Sequence, residues 1–195
     1  MEYRQTDGRM QRSERTRALV VQAHADLLRE GNLTPTAAQV ADRAGVSRRT
    51  LWSNFGDTEG LLRNTVAYWF HLDDELRGEI DTEAPLDVRI AQFCEERERR
   101  LVNIAPAARA AALGEPHSPA LRESRQGHIQ RLREDLMTAF GPEIEAADDP
   151  QILHDALVAV VSWNAWAILY DDLGYGAEHC RRVMEHSLRS LLGAD

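Results

Sequence analysis

Apolar residues recur along most of this chain at intervals of three and four positions, and glycine or proline stands where such runs stop. This spacing places apolar side chains on one face of an α-helix, whereas the alternation typical of strands is scarce. The pattern predicts an all-α protein of about nine helices. The predicted helices are 12–30, 36–43, 47–54, 58–79, 86–104, 106–113, 119–140, 150–173 and 177–192.

The second and third predicted helices are joined by a short turn with strong local signals. Thr36 and Gln39 form a capping-box pattern, so Thr36 is expected to begin the second helix. Gly45 can adopt the left-handed conformation that ends a helix, and Ala41 is small enough to let another helix approach. Ala41, Gly45 and Leu51 have the spacing of a helix-turn-helix, whose second helix enters the major groove of DNA.

The predicted third helix carries a cationic, hydrogen-bonding surface. Ser47 is its expected N-cap. The residues expected to point outward are Arg48, Arg49, Ser53 and Asn54, and those at the flanks are Thr50 and Trp52. Nucleic acid is the partner that suits this chemistry. A helical hairpin in a core, with a solvated arginine face, is the alternative that these residues leave open.

Charge is unevenly divided along the 195 residues, whose formal net charge is -9. The first 63 residues carry 10 arginines and 8 carboxylates, while the remainder carries 13 arginines and 24 carboxylates. Because nucleic acid attracts cationic surfaces, the first third is the part suited to binding it. The acidic remainder is expected to stay away from the duplex.

The sequence argues against secreted and membrane proteins. Cys94 and Cys180 are far apart, which disfavours a disulfide framework or a zinc knuckle and fits a reduced cytoplasm. The segment 1–17 lacks the apolar core of a signal peptide. The longest apolar run, 156–170, is shorter than the roughly 20 residues that span a bilayer, so we expect no membrane segment.

Sequence patterns of catalysis and metal binding are also missing. The chain contains no G-x-S-x-G, H-E-x-x-H, Walker or G-x-G-x-x-G motif. The histidines at 154, 179 and 186 lack the spacing of a metal site. We therefore expect no enzyme activity, no metal and no cofactor.

The segment 36–62, TAAQVADRAGVSRRTLWSNFGDTEGLL, resembles the signature of the TetR family of one-component transcriptional regulators. The resemblance lies in V-A-x-x-A-G-V-S-x-x-T-L-aromatic-x-x-F, followed by a short acidic turn and L-L. It extends back through the amphipathic helix 12–30. Two positions depart from the family pattern. Trp52 stands where the family usually has tyrosine, and Thr58 stands where most members have a lysine that holds a phosphate.

The resemblance implies an all-α homodimer with an N-terminal three-helix DNA-binding domain, 1–57, and a larger helical domain for ligand binding and dimerisation, 58–195. Residues 1–11 are expected to form a flexible arm. Such a protein is expected to be a cytoplasmic repressor that binds a palindromic operator in double-stranded DNA and is released by a small-molecule effector. A helical small-molecule-binding module that has lost DNA binding is the alternative, which the change at Thr58 keeps open.

By this resemblance, the expected DNA contacts are of two kinds. Arg48 and Arg49 are expected at base edges, because arginine can bridge O6 and N7 of guanine. Phosphate contacts are expected from Thr36, Ser47, Thr50, Trp52 and Asn54, with Ser53 on the same surface and Thr58 at the next helix start. Arg9, Arg12 and Arg15 are expected either to reach the DNA backbone or minor groove or to stay solvated.

Dimerisation is predicted in the last two helices. One stripe at spacings of three and four is formed by Ala177, Cys180, Met184, Leu188 and Leu191. With the apolar helix 150–173 of each subunit, it would form a four-helix interface. The alternative is that both faces belong to the core of one chain.

Aromatic residues predict a ligand pocket in the second domain. The candidates are Trp69, Phe93, Trp163, Trp166 and Tyr170. Aromatic side chains around a cavity would suit a hydrophobic or aromatic effector. Ordinary core packing is the alternative for each of them.

Overall fold

The computed structural model describes the backbone of residues 3–194 and the side chains of residues 10–194. Within this range the chain consists of helices joined by turns, which confirms the all-α prediction. The helices are α1 (Tyr3–Arg29), α2 (Ala37–Arg43), α3 (Arg48–Phe55), α4 (Thr58–Leu76), α5 (Leu86–Gly114), α6 (Pro119–Glu145), α7 (Pro150–Val160), α8 (Trp163–Ala167) and α9 (Ala177–Leu192). A 3-10 turn, Glu115–His117, precedes α6, and a π-helical turn, Ile168–Asp172, follows α8.

The first helix begins earlier than predicted. It starts at Tyr3 instead of residue 12, while Met1 and Glu2 lie outside the described residues. The flexible arm at residues 1–11 remains a prediction. The sequence has no apolar stripe there, and periodicity therefore gave no helical signal. The arginine, glutamine and methionine residues of that segment are nevertheless good helix formers.

Two other predicted boundaries are wrong. The predicted helices 86–104 and 106–113 are one helix, α5, because buried Leu101, Ile104 and Ala105 hold the chain in place on the N-terminal side of Pro106. The predicted helix 150–173 is broken instead, since Ser162 is extended and its hydroxyl accepts a hydrogen bond from the Ala165 amide at 3.2 Å. Ser162 thus ends one helical segment and caps the next.

The helices pack into two compact units. Unit 1 comprises Met1–Leu72 and Ala105–Ser124. Its core is formed by residues from the first four helices, among them Val20, Val40, Leu51, Phe55 and Leu61. Burial of a side chain such as Leu51, which has no exposed surface, contributes about 1.5–3 kcal/mol. This packing fixes α2 and α3 on α1.

Unit 2 comprises Asp73–Ile104 and Arg125–Asp195. Its core joins α5, α6, α7, α8 and α9 through residues that include Ile90, Leu136, Phe140, Leu157, Trp166 and Leu188. The chain passes between the units within α4, after Leu72, and again within α5 and α6. Leu61 and Tyr68 of α4 pack with unit 1. The functional division into 1–57 and 58–195 remains a prediction.

Candidate nucleic-acid interface and ligand cavity

The start of α2 has the predicted capping box. The Thr36 hydroxyl accepts a hydrogen bond from the Gln39 amide at 3.3 Å, and the Gln39 side chain accepts one from the Thr36 amide at 2.8 Å. The Thr36 side chain also donates to the Gln39 carboxamide oxygen at 2.9 Å and remains exposed. Two amides that the helix leaves without partners are thereby satisfied.

The turn between α2 and α3 has the predicted left-handed glycine. Gly45 has φ of +68°, and its amide donates to the Asp42 carbonyl at 3.2 Å. The next amide, of Val46, donates to the Ala41 carbonyl at 3.0 Å. These two bonds form a Schellman motif, which ends α2 and sends the chain into α3 at a fixed angle.

The first turn of α3 presents two unpaired arginines. Ser47 caps the helix by accepting from the Thr50 amide at 3.1 Å. Arg48 and Arg49 follow it, are exposed, and form no hydrogen bond or ion pair with any residue that the structure describes. Arg43, on the preceding helix, is instead paired with Glu30 at 2.6 Å. The guanidinium groups of Arg48 and Arg49 are therefore free to bind an external acceptor.

Asn54 is engaged within unit 1. Its carboxamide nitrogen donates to the Thr50 carbonyl at 2.8 Å, and its carboxamide oxygen accepts from the Ser13 hydroxyl at 2.8 Å. Arg17 donates to the Asn54 backbone carbonyl at 3.2 Å. Asn54 thus links the end of α3 to α1, and its predicted phosphate contact remains a prediction.

The remaining side chains of α3 divide between surface and core. Ser53 is exposed and donates to the Thr50 carbonyl at 2.9 Å, whereas half-buried Thr50 shares a hydrogen bond with the Ser47 hydroxyl at 2.9 Å. Trp52 is half-buried against the core of unit 1. The Ser53 and Thr50 hydroxyls thus lie on the same helix as the two arginines, while the Trp52 indole packs against the core of unit 1.

Thr58 is exposed at the first position of α4. The Asp57 carboxylate caps this helix by accepting from the Gly60 amide at 2.8 Å. The Glu59 carboxylate accepts from the Ala120 amide, in the first turn of α6, at 3.0 Å. Both acids that flank Thr58 are therefore engaged within unit 1.

Two of the three arginines that the sequence analysis singled out near the start of the chain have described side chains. Arg12 and Arg15 are exposed on α1, and each stays a candidate for contact with the DNA backbone. The side chain of Arg9 lies outside the described residues.

The predicted dimer stripe on α9 is mostly core. Cys180, Met184 and Leu188 are buried within this chain, with Leu188 at 0% exposure. These three side chains belong to the hydrophobic core of unit 2 and leave little surface for a second chain, so the structure does not favour them as interface residues. Where the dimer interface lies remains a prediction. Ala177 is half-buried, and Leu191 is exposed. Sequence periodicity identified the buried face of α9 but could not say what covers it.

Two of the most exposed large apolar side chains, Ile152 and Ile168, lie on the segment Pro150–Asp172. By length and composition this segment could cross a membrane, and only 22% of its most apolar window is buried in this chain. Its helices α7 and α8 have 11 and 5 residues, each shorter than a span of about 20. Ile152 is 67% exposed and Ile168 is 54% exposed. This surface is available to a second copy of the chain.

The predicted ligand aromatics do not gather around one cavity. Trp166 stacks on Tyr170 with 5.6 Å between ring centroids, and Phe93 packs against Phe140 at 5.3 Å. Trp163 is half-buried against the core of unit 2. Trp69 belongs to unit 1, where the Arg29 guanidinium lies 4.7 Å from its ring centroid. Packing accounts for most of these residues, as in the alternative stated above.

Unit 2 contains a cavity of about 340 Å³ that is lined mainly by charged side chains. The lining residues are Arg77, Gly78, Glu79, Ile80, Phe93, Glu96, Arg97, Arg100, Asp135 and Thr138. Phe93 is the predicted ligand residue that lines it. Sequence reasoning missed the charged residues, although the run EERERR at 95–100, in the middle of a helix with a buried face, was a visible signal.

Arg100 organises the charges beside the cavity. Its guanidinium donates to Asp73 at 2.7 and 2.9 Å, to Glu96 at 3.0 Å and to Asp135 at 2.9 Å. Burial alone would raise the pKa of Asp73, but the hydrogen bonds and charge of Arg100 hold that pKa below its ordinary value. Asp135 is also paired with Arg77 at 2.9 Å. No three histidine, cysteine or acidic residues among those described are grouped to hold a metal ion.

Comparison with known proteins finds no family model that matches the chain and no curated protein that matches its sequence. Solved structures match its fold. A transcriptional regulator from Rhodococcus sp. Rha1 has a TM-score of 0.69 at 17% identity, covering 93% of this chain and 96% of that chain. A candidate TetR-family transcriptional regulator from Mesorhizobium loti has 0.65 at 15% identity, over 94% and 98%. The flavonoid-responsive regulator FrrA has 0.64 at 20% identity, over 93% and 97%.

Proposed function

We propose that this chain, which has the fold of the TetR-family transcriptional regulators, is a cytoplasmic DNA-binding regulator. It binds a palindromic operator as a homodimer, represses transcription, and is released by a small-molecule effector. One observation carries the proposal: Arg48 and Arg49 are exposed on the first turn of α3, the second helix of a capped helix-turn-helix, and no described residue pairs with them. Arginine in that position can form two hydrogen bonds with a guanine edge in the major groove.

Other features support the same reading. Thr36 and Ser47 are exposed at the N-termini of α2 and α3, where free backbone amides favour the binding of phosphate. The net charge of the first 63 residues is positive, while that of the remainder is strongly negative. The negative part weakens non-specific adhesion to DNA, so the cationic face sets the orientation of approach.

Fluorescence anisotropy with DNA from upstream of the protein's own gene tests the proposal. We expect Arg48→Ala and Arg49→Ala to weaken binding, and the one that reads a base to cost about 1–3 kcal/mol while relaxing base preference at that position. Arg182→Ala is the matched control and should bind as wild type, because Arg182 is exposed on α9 and pairs with no residue in the described part of the chain.

Retention of wild-type affinity and specificity by both α3 variants would reject α3 as the recognition helix. A wild-type chain that binds no DNA, specific or random, but still binds small molecules would favour the alternative, a ligand-binding module. Repression is tested separately with a reporter gene behind the bound promoter. FrrA is described as flavonoid-responsive, which supports a response to a small molecule on this fold but does not identify the effector here.

A further inference from the structure

Three arginines are buried among the described residues, and one of them differs from the other two. Arg89 pairs with Glu143 at 3.0 Å, and Arg100 pairs with three carboxylates. Arg97 is 8% exposed and forms no ion pair with any described residue. A buried charge is costly unless it is paired, so the exception requires a physical explanation.

The one hydrogen bond of the Arg97 guanidinium leaves most of its donors unused. Its Nε donates to the Val161 carbonyl, at the end of α7, at 3.0 Å. The remaining donors have no partner in the described part of the chain, and the residue lines the cavity of unit 2. Burial and then the neighbouring Arg100 lower the pKa of Arg97 to about 10, while the charges of Asp73, Asp135 and Glu96 act in the opposite direction. Arg97 is therefore still a cation at neutral pH.

The carboxylates of the cavity do not neutralise Arg97 by contact. Glu96 and Asp135 both accept from Arg100, and Asp135 also accepts from Arg77. Glu79 is exposed in the connection between α4 and α5. Apart from exposed Glu79, the unmet charge in the wall is thus that of the buried Arg97 guanidinium, which fits a planar anion with two oxygens.

Apolar side chains complete the same cavity. Phe93 and Ile80 belong to its lining, so an apolar group can pack there while the anion contacts Arg97. The volume of about 340 Å³ lies at the lower end of the range for small-molecule sites, about 300–1,000 Å³. We propose that the cavity binds a small monocarboxylate with an apolar body, whose carboxylate pairs with Arg97. The claim that this ligand is the effector rests on the proposed function.

Calorimetry with matched ligands tests the charge requirement on the full chain. Phenylacetate and hexanoate are each compared with the uncharged amide of the same shape, phenylacetamide and hexanamide. We expect at least one acid to bind about tenfold or more tightly than its amide, because charge-assisted hydrogen bonds are about twice as strong as neutral ones. Equal binding of acid and amide, or no binding of either acid up to about 10 mM, overturns the proposal.

Variants of Arg97 test the assigned residue. Arg97→Gln keeps a donor for the Val161 carbonyl but removes the charge, so it should lower affinity for the preferred acid about tenfold or more and remove the preference over the amide. Arg97→Lys keeps the charge and should keep the preference. Arg182→Gln, at an exposed arginine on α9, should bind as wild type.

The outcomes separate this proposal from simpler explanations. Wild-type affinity for the acid in Arg97→Gln would mean that Arg97 serves the end of α7 only, as basic residues near helix C-termini often do, and would overturn the proposal. If Arg97→Gln does not fold, the comparison of acid with amide decides on the wild-type chain. Binding of acid through Arg97 by a chain that binds no DNA would support the ligand site and contradict the proposed function.

Discussion

At the residue scale, a positive charge introduced at Thr58 tests whether the start of α4 contacts DNA. It is exposed at the start of α4, and the acids beside it are satisfied by the Gly60 and Ala120 amides. We expect Thr58→Lys to tighten DNA binding and to steepen its salt dependence by one phosphate contact, a slope change of about 0.9. Operator and random DNA should gain alike, because a phosphate contact reads no base.

The control for this substitution is Ser190→Lys, which adds the same charge at an exposed position of α9. A titration of affinity against salt concentration should leave its slope at the wild-type value. An unchanged slope in Thr58→Lys as well would mean that the start of α4 stays clear of the DNA backbone.

His24 makes the stability of unit 1 depend on pH. It is buried, its Nδ1 has no hydrogen-bond partner among the described residues, and burial lowers its pKa from 6.5 to about 4. The unfolded chain therefore binds a proton between these values that the folded chain does not. We expect the free energy of unfolding to fall by about 3 kcal/mol from this group as pH drops from 6.5 to 4.

Denaturant unfolding at several pH values measures this dependence. His24→Gln should show a shallower loss of stability between pH 6.5 and 4 than wild type, whereas His117→Gln, on an exposed turn of the same unit, should follow wild type. Parallel curves for wild type and His24→Gln would show that His24 takes up its proton over the same pH range in the folded and the unfolded chain, which would contradict the prediction.

At the scale of elements, the turn from α3 into α4 depends on Gly60. A Cβ at this position would lie 2.0 Å from the Phe55 carbonyl oxygen, which is backbone and cannot rotate away. We expect Gly60→Ala to destabilise the chain by about 1–3 kcal/mol, since the turn must shift to relieve the overlap. Operator affinity should fall with it if α3 is displaced. Thermal unfolding and DNA titration measure the two effects.

Gly141→Ala is the matched control for Gly60→Ala. A Cβ there would meet its nearest atom, Met137 Cε, at 3.8 Å, an ordinary contact. Its stability should stay within about 0.5 kcal/mol of wild type or increase slightly. Equal effects of the two alanines would contradict the role given to the Phe55 carbonyl.

At the scale of the whole molecule, dimerisation should depend on exposed apolar residues of α7 and of the π-helical turn Ile168–Asp172. It should not depend on the apolar stripe of α9 that the sequence predicted. We expect Ile152→Asp with Ile168→Asp to give monomers with little operator affinity, because these exposed side chains are available to a second copy. The fold of each monomer should change little. Sedimentation measures the mass, and circular dichroism measures the fold.

Leu188→Ala distinguishes the interface from the core. Leu188 is fully buried within the chain, so its truncation should cost about 2–5 kcal/mol of monomer stability. It should leave the dimer mass unchanged at temperatures where the chain is folded. An intact dimer in the double aspartate variant would exclude Ile152 and Ile168 from the interface.

Local signals in the sequence were sufficient to predict the fold class, the caps at Thr36 and Ser47, and the left-handed turn at Gly45. Each depends on neighbours within a few residues, because helix ends satisfy their amides and carbonyls locally. The break at Ser162 was accessible to the same reasoning, since serine is a preferred cap, but the apolar run around it concealed the break.

Tertiary structure decided which apolar face is covered and which charge is left unpaired. Periodicity shows that α9 has an apolar side, but Leu188 packs in its own core while Ile152 remains exposed, and this depends on helices distant in sequence. In the same way, Arg97 and Arg100 are near neighbours on α5, yet of these two arginines Asp73 and Asp135 form ion pairs with Arg100 alone. The cost of burying a charge depends on its surroundings in space, and therefore only the folded chain could single out Arg97.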